Sequence, residues 1–173
     1  MSRQERIFLV GPMGCGKSSI GKSLALVLER PFLDLDEVIV REAGMSIPEI
    51  FEKEGERGFR VRETAALRSS LKHQAITATG GGIVTTPENL GILKDHGIVC
   101  YLTADAETSY RRTLKDNGRP MIATDDRKGR LEQLLKVRDP LYRSICDFTV
   151  DSAAHSVREC VELIKKALAK CRG

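Results

Sequence analysis

The 173-residue chain contains no tryptophan and only five phenylalanines and three tyrosines, so aromatics make up 5% of it. With so few rings, and with its basic residues scattered, it is expected to offer no stacking platform for nucleic acid. Histidine is scarce, at three residues, and the five cysteines (15, 100, 146, 160 and 171) show neither C-x-x-C nor Cys/His spacing. That argues against a zinc site or a disulfide framework, and for a reducing, cytoplasmic setting. No apolar run approaches the roughly 20 residues of a membrane span, so no membrane partner is expected. The charged start, Ser2-Arg-Gln-Glu-Arg6, lacks the pattern of a secretory signal. Internal repeats and low-complexity segments are lacking too. Neither sign of charge dominates: 28 basic against 24 acidic side chains give +4. Such a balance suits small anionic ligands and decides nothing alone.

What is present fits one globular domain, residues 1–173, with a hydrophobic share of 41%. Ile7-Phe-Leu-Val10 is uniformly apolar, as a strand covered on both faces should be. Phe32-Leu-Asp-Leu-Asp36, Ala75-Ile-Thr-Ala78, Ile98-Val-Cys-Tyr-Leu102 and Phe148-Thr-Val150 read as four more strands. Helical stretches lie between them. Ser46 with Glu49 and Ser156 with Glu159 fit the S-x-x-E capping box, and Thr86-Pro87 fits an N-cap with proline in the first turn. In the last helix Val157, Cys160, Val161, Ile164 and Leu168 form one apolar stripe. Strands separated by helices imply parallel crossovers. The predicted fold is therefore α/β, a five-stranded parallel sheet flanked by helices in three layers. The polar segment 115–127 breaks this rhythm. It is long for a connection, and such loops are functional or disordered.

Gly11-Pro-Met-Gly-Cys-Gly-Lys-Ser18 matches G-x-x-x-x-G-K-[ST], directly after the first strand and before a helix. The glycines let backbone N–H groups turn inward at a helix N-terminus, where they hold anions. Lys17 then places a point charge on the β- and γ-phosphates, and Ser18 offers its hydroxyl to Mg²⁺. Cys15, with no histidine flanking it, reads as a small tolerated residue and not as a nucleophile.

A phosphate loop specifies a nucleotide and leaves the acceptor open. Asp34 and Asp36 end the second strand, where both can lean over the crevice at the strands' carboxyl ends. One carboxylate suits Mg²⁺ through water. The other suits orienting or deprotonating a hydroxyl, unless Asp36 only caps the next helix. Thr79 stands where many P-loop enzymes carry the acidic metal residue, so the metal carboxylate falls to Asp34. Gly80-Gly-Gly82 permits a close approach of backbone to ligand. Arg60, Arg119 and Arg138 carry guanidinium forks that suit a carboxylate or a phosphate, although each alone reads as a surface arginine.

In this order and at these spacings, the phosphate loop, the Asp34-Leu-Asp36 pair, Phe59-Arg60 with Glu63, the triple glycine, Arg119-Pro120, and Arg138 before Pro140-Leu-Tyr142 resemble the shikimate kinase family over essentially the whole chain. The resemblance implies a P-loop NTPase fold with a mobile lid at about 115–127 and a substrate-binding helical region at about 36–63. It implies ATP and shikimate as substrates, Mg²⁺ as cofactor, and phosphorylation of the 3-hydroxyl of shikimate in aromatic amino acid synthesis by a monomer. By the same resemblance, Gly11, Gly14, Cys15, Gly16, Lys17, Ser18 and Ser19 hold the nucleotide, with Asp34 supporting the metal. Asp36 binds the shikimate hydroxyls and acts as base, Arg60 and Arg138 grip the carboxylate, and Gly80, Gly81 and Gly82 complete the pocket. Arg119 closes over the phosphates. Arg112 flanks adenine, and His155 either stacks on it or faces solvent. Ile47, Phe51, Phe59, Pro120 and Met121 wall the substrate ring. The lid departs from the family's usual leucines with Met121-Ile122 after the proline.

Two rival readings remain at this level. A gluconate kinase-like enzyme also takes a hydroxy acid, and the triple glycine with Arg60 and Arg138 favours shikimate over it. A nucleotide-dependent binding module without turnover is disfavoured by Lys17, Asp36 and the lid.

Overall fold

The computed structural model describes residues 2–114 and 126–173, so the segment carrying Arg119, Pro120 and Met121, on which the lid reading rests, lies outside the described residues. Five strands form one parallel sheet: β1 (Ile7–Val10), β2 (Phe32–Asp34), β3 (Ile76–Ala78), β4 (Ile98–Thr103) and β5 (Phe148–Asp151). Their spatial order is β2-β3-β1-β4-β5. The four apolar side chains of β1 are all buried, as expected of a central strand with helices on both sides. Strand alternation divides them between two cores. Phe8 and Val10 pack with Val99 and Tyr101 on one face, whereas Ile7 and Leu9 pack with Cys100 and Leu102 on the other.

Helices α1 (Lys17–Leu28) and α7 (Val157–Cys171) cover the second face. The first face is covered by α2 (Leu35–Ala43), α3 (Ile47–Ser70), α4 (Pro87–His96) and α6 (Arg127–Ile145), and the short α5 (Ala106–Thr113) packs on α6. This is the three-layer arrangement the sequence predicts. Both capping boxes form, at Ser46/Glu49 and Ser156/Glu159. Pro87 opens α4, yet the Thr86 side chain makes no capping bond. In the α7 stripe, Cys160, Val161, Ile164 and Leu168 are buried, whereas Val157 is 42% exposed.

Two boundaries differ from the sequence reading. The second strand stops at Asp34, and Asp36 belongs to the first turn of α2. Arg127 is not the far end of a loop but the first residue of α6, where its guanidinium donates to the carbonyls of Thr113 and Leu114 at 2.6 and 3.1 Å.

One local feature redirects a whole helix. Within α3, Gly55 adopts φ 71°, ψ −179°, a backbone state essentially closed to side-chain-bearing residues, and the helix kinks there. The kink is bridged by Arg62, whose Nε donates to both Glu54 carboxylate oxygens at 3.2 and 2.9 Å, and by the Phe51–Phe59 ring pair, 4.9 Å apart. Beyond it, α3 runs on to carry Arg60 and Glu63 back over the sheet.

Candidate active site

The nucleotide half is built mostly from backbone. Between β1 and α1 the chain turns through Gly14 and Gly16, with φ of 74° and 93°, which side-chain-bearing residues rarely adopt. Gly16 is the N-cap of α1, so the loop ends on the positive pole of a helix. Lys17, only 9% exposed, folds back: its Nζ donates to the carbonyls of Gly11 at 2.6 Å and Pro12 at 2.9 Å, with Cys15 Sγ at 3.5 Å. The ammonium is thus held inside the loop by neutral acceptors that phosphate oxygens can replace. Cys15 is fully buried and lines the core beneath the loop, in keeping with a packing role.

Asp34 ties this loop to the next strand. Its Oδ2 accepts from the Ser18 hydroxyl at 2.7 Å, while its Oδ1 caps α2 by accepting from the N–H groups of Asp36 and Glu37 at 3.0 and 3.4 Å. The cap is therefore Asp34, which releases the Asp36 side chain from that duty. Ser18 and Asp34 bring a hydroxyl and a carboxylate together, a hard-oxygen pair that fits Mg²⁺. Among the described residues no group of three His, Cys, Asp or Glu side chains could hold a metal. This is the donor set of an ion that keeps waters and takes its other oxygens from phosphates. Thr79 donates its hydroxyl to the Leu9 carbonyl at 2.9 Å.

One crevice is lined by Gly14, Lys17, Ser18, Asp36, Thr79 and Gly80, so Asp36 faces the phosphate loop across it. A second depression, lined by Gly16, Ser19, Arg112, Ser152 and His155, adjoins the first at Arg112. Arg112 is fixed at both prongs, donating to the carbonyls of Gly14 at 3.0 Å and Ser152 at 3.1 Å. His155 Nδ1 lies 2.8 Å from the Asp151 carbonyl.

The acceptor half is built from side chains set against the triple glycine. A Cβ on Gly80 would meet Glu63 Oε2 at 2.9 Å and Asp36 Oδ1 at 3.2 Å; one on Gly81 would meet Arg138 Nη1 at 3.5 Å. One on Gly82 would lie 2.7 Å from Arg60 Cζ. Each glycine makes room for a different charged group, and α2, α3 and α6 deliver those groups to one spot. Arg60 Nη1 donates to Glu63 Oε1 at 2.8 Å, and its Nη2 reaches Glu56 at 3.3 Å. Two buried atoms there, Arg60 Nε and Glu63 Oε2, have no hydrogen-bond partner among the described residues. Such orphans are costly in a closed core and expected where a polar ligand completes the site.

Charge in this cluster is held under tension. Burial pushes the Glu63 carboxyl above its ordinary range against the pull of Arg60; the neighbouring Asp36 adds to the push and Arg138 opposes it. Burial likewise lowers the pKa of Arg138, which is 4% exposed. No carboxylate among the described residues lies within salt-bridge distance of Arg138, although the charges of Glu63 and Glu56 act on it.

The two adjoining crevices bring together Gly14, Cys15, Gly16, Lys17, Ser18, Ser19, Asp34, Asp36, Gly80, Arg112 and His155, while Gly81 and Gly82, next along the chain, lie against Arg138 and Arg60, with the Gly11 carbonyl near Gly81; Arg119 lies outside the described residues. Of the proposed ring walls, Phe59 is buried and Ile47 and Phe51 pack against its cluster. Sequence reasoning gave Glu63 no task, although its placement three residues after Arg60 on a helix signals a shared face. It named Tyr142 in the motif after Arg138 but gave it no task; its hydroxyl donates to the Gly81 carbonyl.

The family model described as shikimate kinase matches residues 13–169. The chain is similar to a shikimate kinase of Thioalkalivibrio sulfidiphilus, with 47% identity over 167 residues, covering 96% of this chain and 88% of the relative. Among solved structures it is similar to shikimate kinase from Acinetobacter baumannii in complex with shikimate, with a TM-score of 0.93 and 43% identity over 95% of this chain and 93% of the other. A gluconokinase from Sinorhizobium meliloti has a TM-score of 0.63 at 16% identity, covering 99% and 95% of the two chains, a likeness of fold alone.

Proposed function

The chain belongs to the shikimate kinase family, and from that premise we propose that it transfers the ATP γ-phosphoryl group to the 3-hydroxyl of shikimate, giving shikimate 3-phosphate and ADP in aromatic amino acid biosynthesis. The observation that carries this reading is the triple glycine packed against Asp36, Glu63, Arg138 and Arg60 beside the phosphate loop. A substrate with one carboxylate and several hydroxyls needs two guanidinium groups and a carboxylate. The orphaned Arg60 Nε and Glu63 Oε2 supply one unmet donor and one unmet acceptor for it.

Phosphoryl transfer asks a protein chiefly for in-line placement and for positive charge around the equatorial oxygens. In our reading Lys17 leaves the Gly11 and Pro12 carbonyls for the β- and γ-phosphates, while the loop N–H groups and the α1 pole hold the chain of phosphates. Ser18 and Asp34 would hold Mg²⁺, which supplies further neutralising charge when bound. Arg60 and Arg138 grip the carboxylate, which orients the ring so that its 3-hydroxyl reaches Asp36. Asp36 accepts that hydroxyl's proton as it attacks. Arg112 and His155 flank the adenine, next to Ser19. Arg119, outside the described residues, would bring a guanidinium over the phosphates from the lid expected at about 115–127, excluding water that would otherwise compete as acceptor. The domain, residues 1–173, works as a monomer in the cytoplasm, where its free thiols suit a reducing compartment.

Incubation of the protein with ATP, Mg²⁺ and shikimate, followed by phosphorus NMR, tests the reading. A new phosphomonoester coupled to the C3 proton of shikimate is expected, with one ADP per ester. ADP release that shikimate does not stimulate would refute it.

A further inference from the structure

We propose that Tyr142 is a positioning residue for the acceptor half, its hydroxyl fixing the carbonyl of Gly81, the glycine against which the Arg138 guanidinium rests, so that the carboxylate clamp is aimed before substrate arrives. The proposal rests on the function proposed above and adds a residue which touches neither substrate.

Tyr142 is fully buried on α6, one turn after Arg138, so the two side chains lie on one helix face. Its hydroxyl donates to the Gly81 carbonyl. The Arg138 guanidinium rests beside the same glycine, its Nη1 3.5 Å from where a Cβ on Gly81 would stand. The hydroxyl's single proton is therefore committed to the glycine run. Burial, first among the causes, pushes the phenol's pKa far up, so it stays a proton donor throughout the working pH range.

The ring cannot easily swing away. It packs on Tyr101, with ring centroids 4.8 Å apart and planes at 35°. Tyr101 is anchored in turn: its hydroxyl donates to Asp139 Oδ1 at 2.6 Å, and Arg143 Nε donates to Asp139 Oδ2 at 3.0 Å. It is the Tyr101 ring, which a phenylalanine would keep, that meets Tyr142.

Fixing the Gly81 carbonyl has a geometric consequence. The peptide between Gly81 and Gly82 is planar and trans, so holding the C=O also sets the direction of the Gly82 N–H and the place of its Cα. Arg60 rests against Gly82, and Arg138 against Gly81. Both halves of the carboxylate clamp are thus referenced to a peptide plane that one hydroxyl holds.

Tyr142→Phe keeps the ring and removes the hydroxyl. We expect the KM for shikimate to rise roughly two- to tenfold, the loss of one buried hydrogen bond to a backbone carbonyl, with the KM for ATP changed by less than about twofold. Tyr101→Phe is the control, because it removes the other hydroxyl of the same ring pair without touching Gly81. It should leave the ratio of the two KM values at the wild-type level. An unchanged shikimate KM in Tyr142→Phe, a parallel rise in both KM values, or the same selective rise in Tyr101→Phe would overturn the proposal. If Tyr142→Phe does not yield folded protein, proton NMR of the wild type decides. A slowly exchanging Tyr142 hydroxyl resonance with cross-relaxation to the Gly82 N–H supports the assignment, and its absence under conditions where the Tyr101 hydroxyl is seen overturns it. Wild type that fails to phosphorylate shikimate would instead refute the proposed function, and the NMR result would still report on the hydroxyl.

Discussion

The two halves of the site are made of different materials. The phosphate loop is a continuous stretch, residues 11–18, whose anion-holding groups are backbone N–H groups fixed by glycine geometry and by a helix pole. The acceptor half draws Asp36, Glu63, Arg60 and Arg138 from three helices and sets them against Gly80–Gly82. One half gets its shape from local φ/ψ values, the other from tertiary packing. A phosphate chain is common to many reactions, so a local motif suffices. A ring with a carboxylate and particular hydroxyls has to be read from several directions at once.

The largest effect should come from the one side chain on which the backbone-built half depends. Lys17→Met is expected to leave a folded protein, because the loop's shape comes from its glycines, and to lower kcat by 10²-fold or more, as central electrostatic groups do. Retention of more than about a tenth of wild-type kcat in an ADP-release assay would break the division. Next in size, Arg60→Ala and Arg138→Ala should each weaken shikimate roughly ten- to a hundredfold while leaving the KM for ATP nearly unchanged. Equal losses for both substrates would mean that the halves are not separable.

Glycine substitutions sharpen the contrast. The atoms nearest a Cβ on Gly82 belong to the flexible Arg60 guanidinium, which would be pushed aside, so Gly82→Ala should raise the shikimate KM by up to about tenfold with little change in Tm. A Cβ on Gly11 meets the Leu102 backbone carbonyl, and Gly11 sits at φ 151°. Gly11→Ala should therefore lower Tm by several degrees as well as activity. Thermal melts beside steady-state kinetics separate the two.

The smallest expected effect is a pH dependence. Glu63 binds its proton more readily in the folded protein than in the unfolded chain. Its contribution is therefore fully present at pH values below its ordinary 4.5, and is lost as pH rises through the raised folded value. Glu63→Gln should remove that decline, flattening the Tm profile above pH 4.5 by a few degrees at most. An unchanged slope would show that the buried carboxyl is not under the strain described.

Much of this was legible beforehand, for reasons that differ by region. The phosphate loop is contiguous, and the five apolar runs fall within about two residues of the observed strand ends. Ser46/Glu49 and Ser156/Glu159 act over three residues. The switch in capping from Asp36 to Asp34 turned on a single strand boundary, which pattern alone fixes poorly. The Gly55 kink hides inside a helix-like stretch, because a lone glycine there reads as a tolerated cost and not as a turn. The orphaned Glu63 oxygen and the Tyr142 hydroxyl were invisible for a deeper reason. Their meaning depends on Gly80 and Gly81, which lie far away in sequence, and only the folded chain makes those neighbours.

The central claim is that Arg60 and Arg138 read a carboxylate, and the most direct test compares kcat/KM for shikimate and for its methyl ester. The wild type should favour the acid by roughly ten- to a hundredfold, and the preference should fall at least about tenfold in the Arg60→Ala, Arg138→Ala double variant. Acid and ester used alike by the wild type, or a preference that survives intact in the double variant, would contradict the clamp.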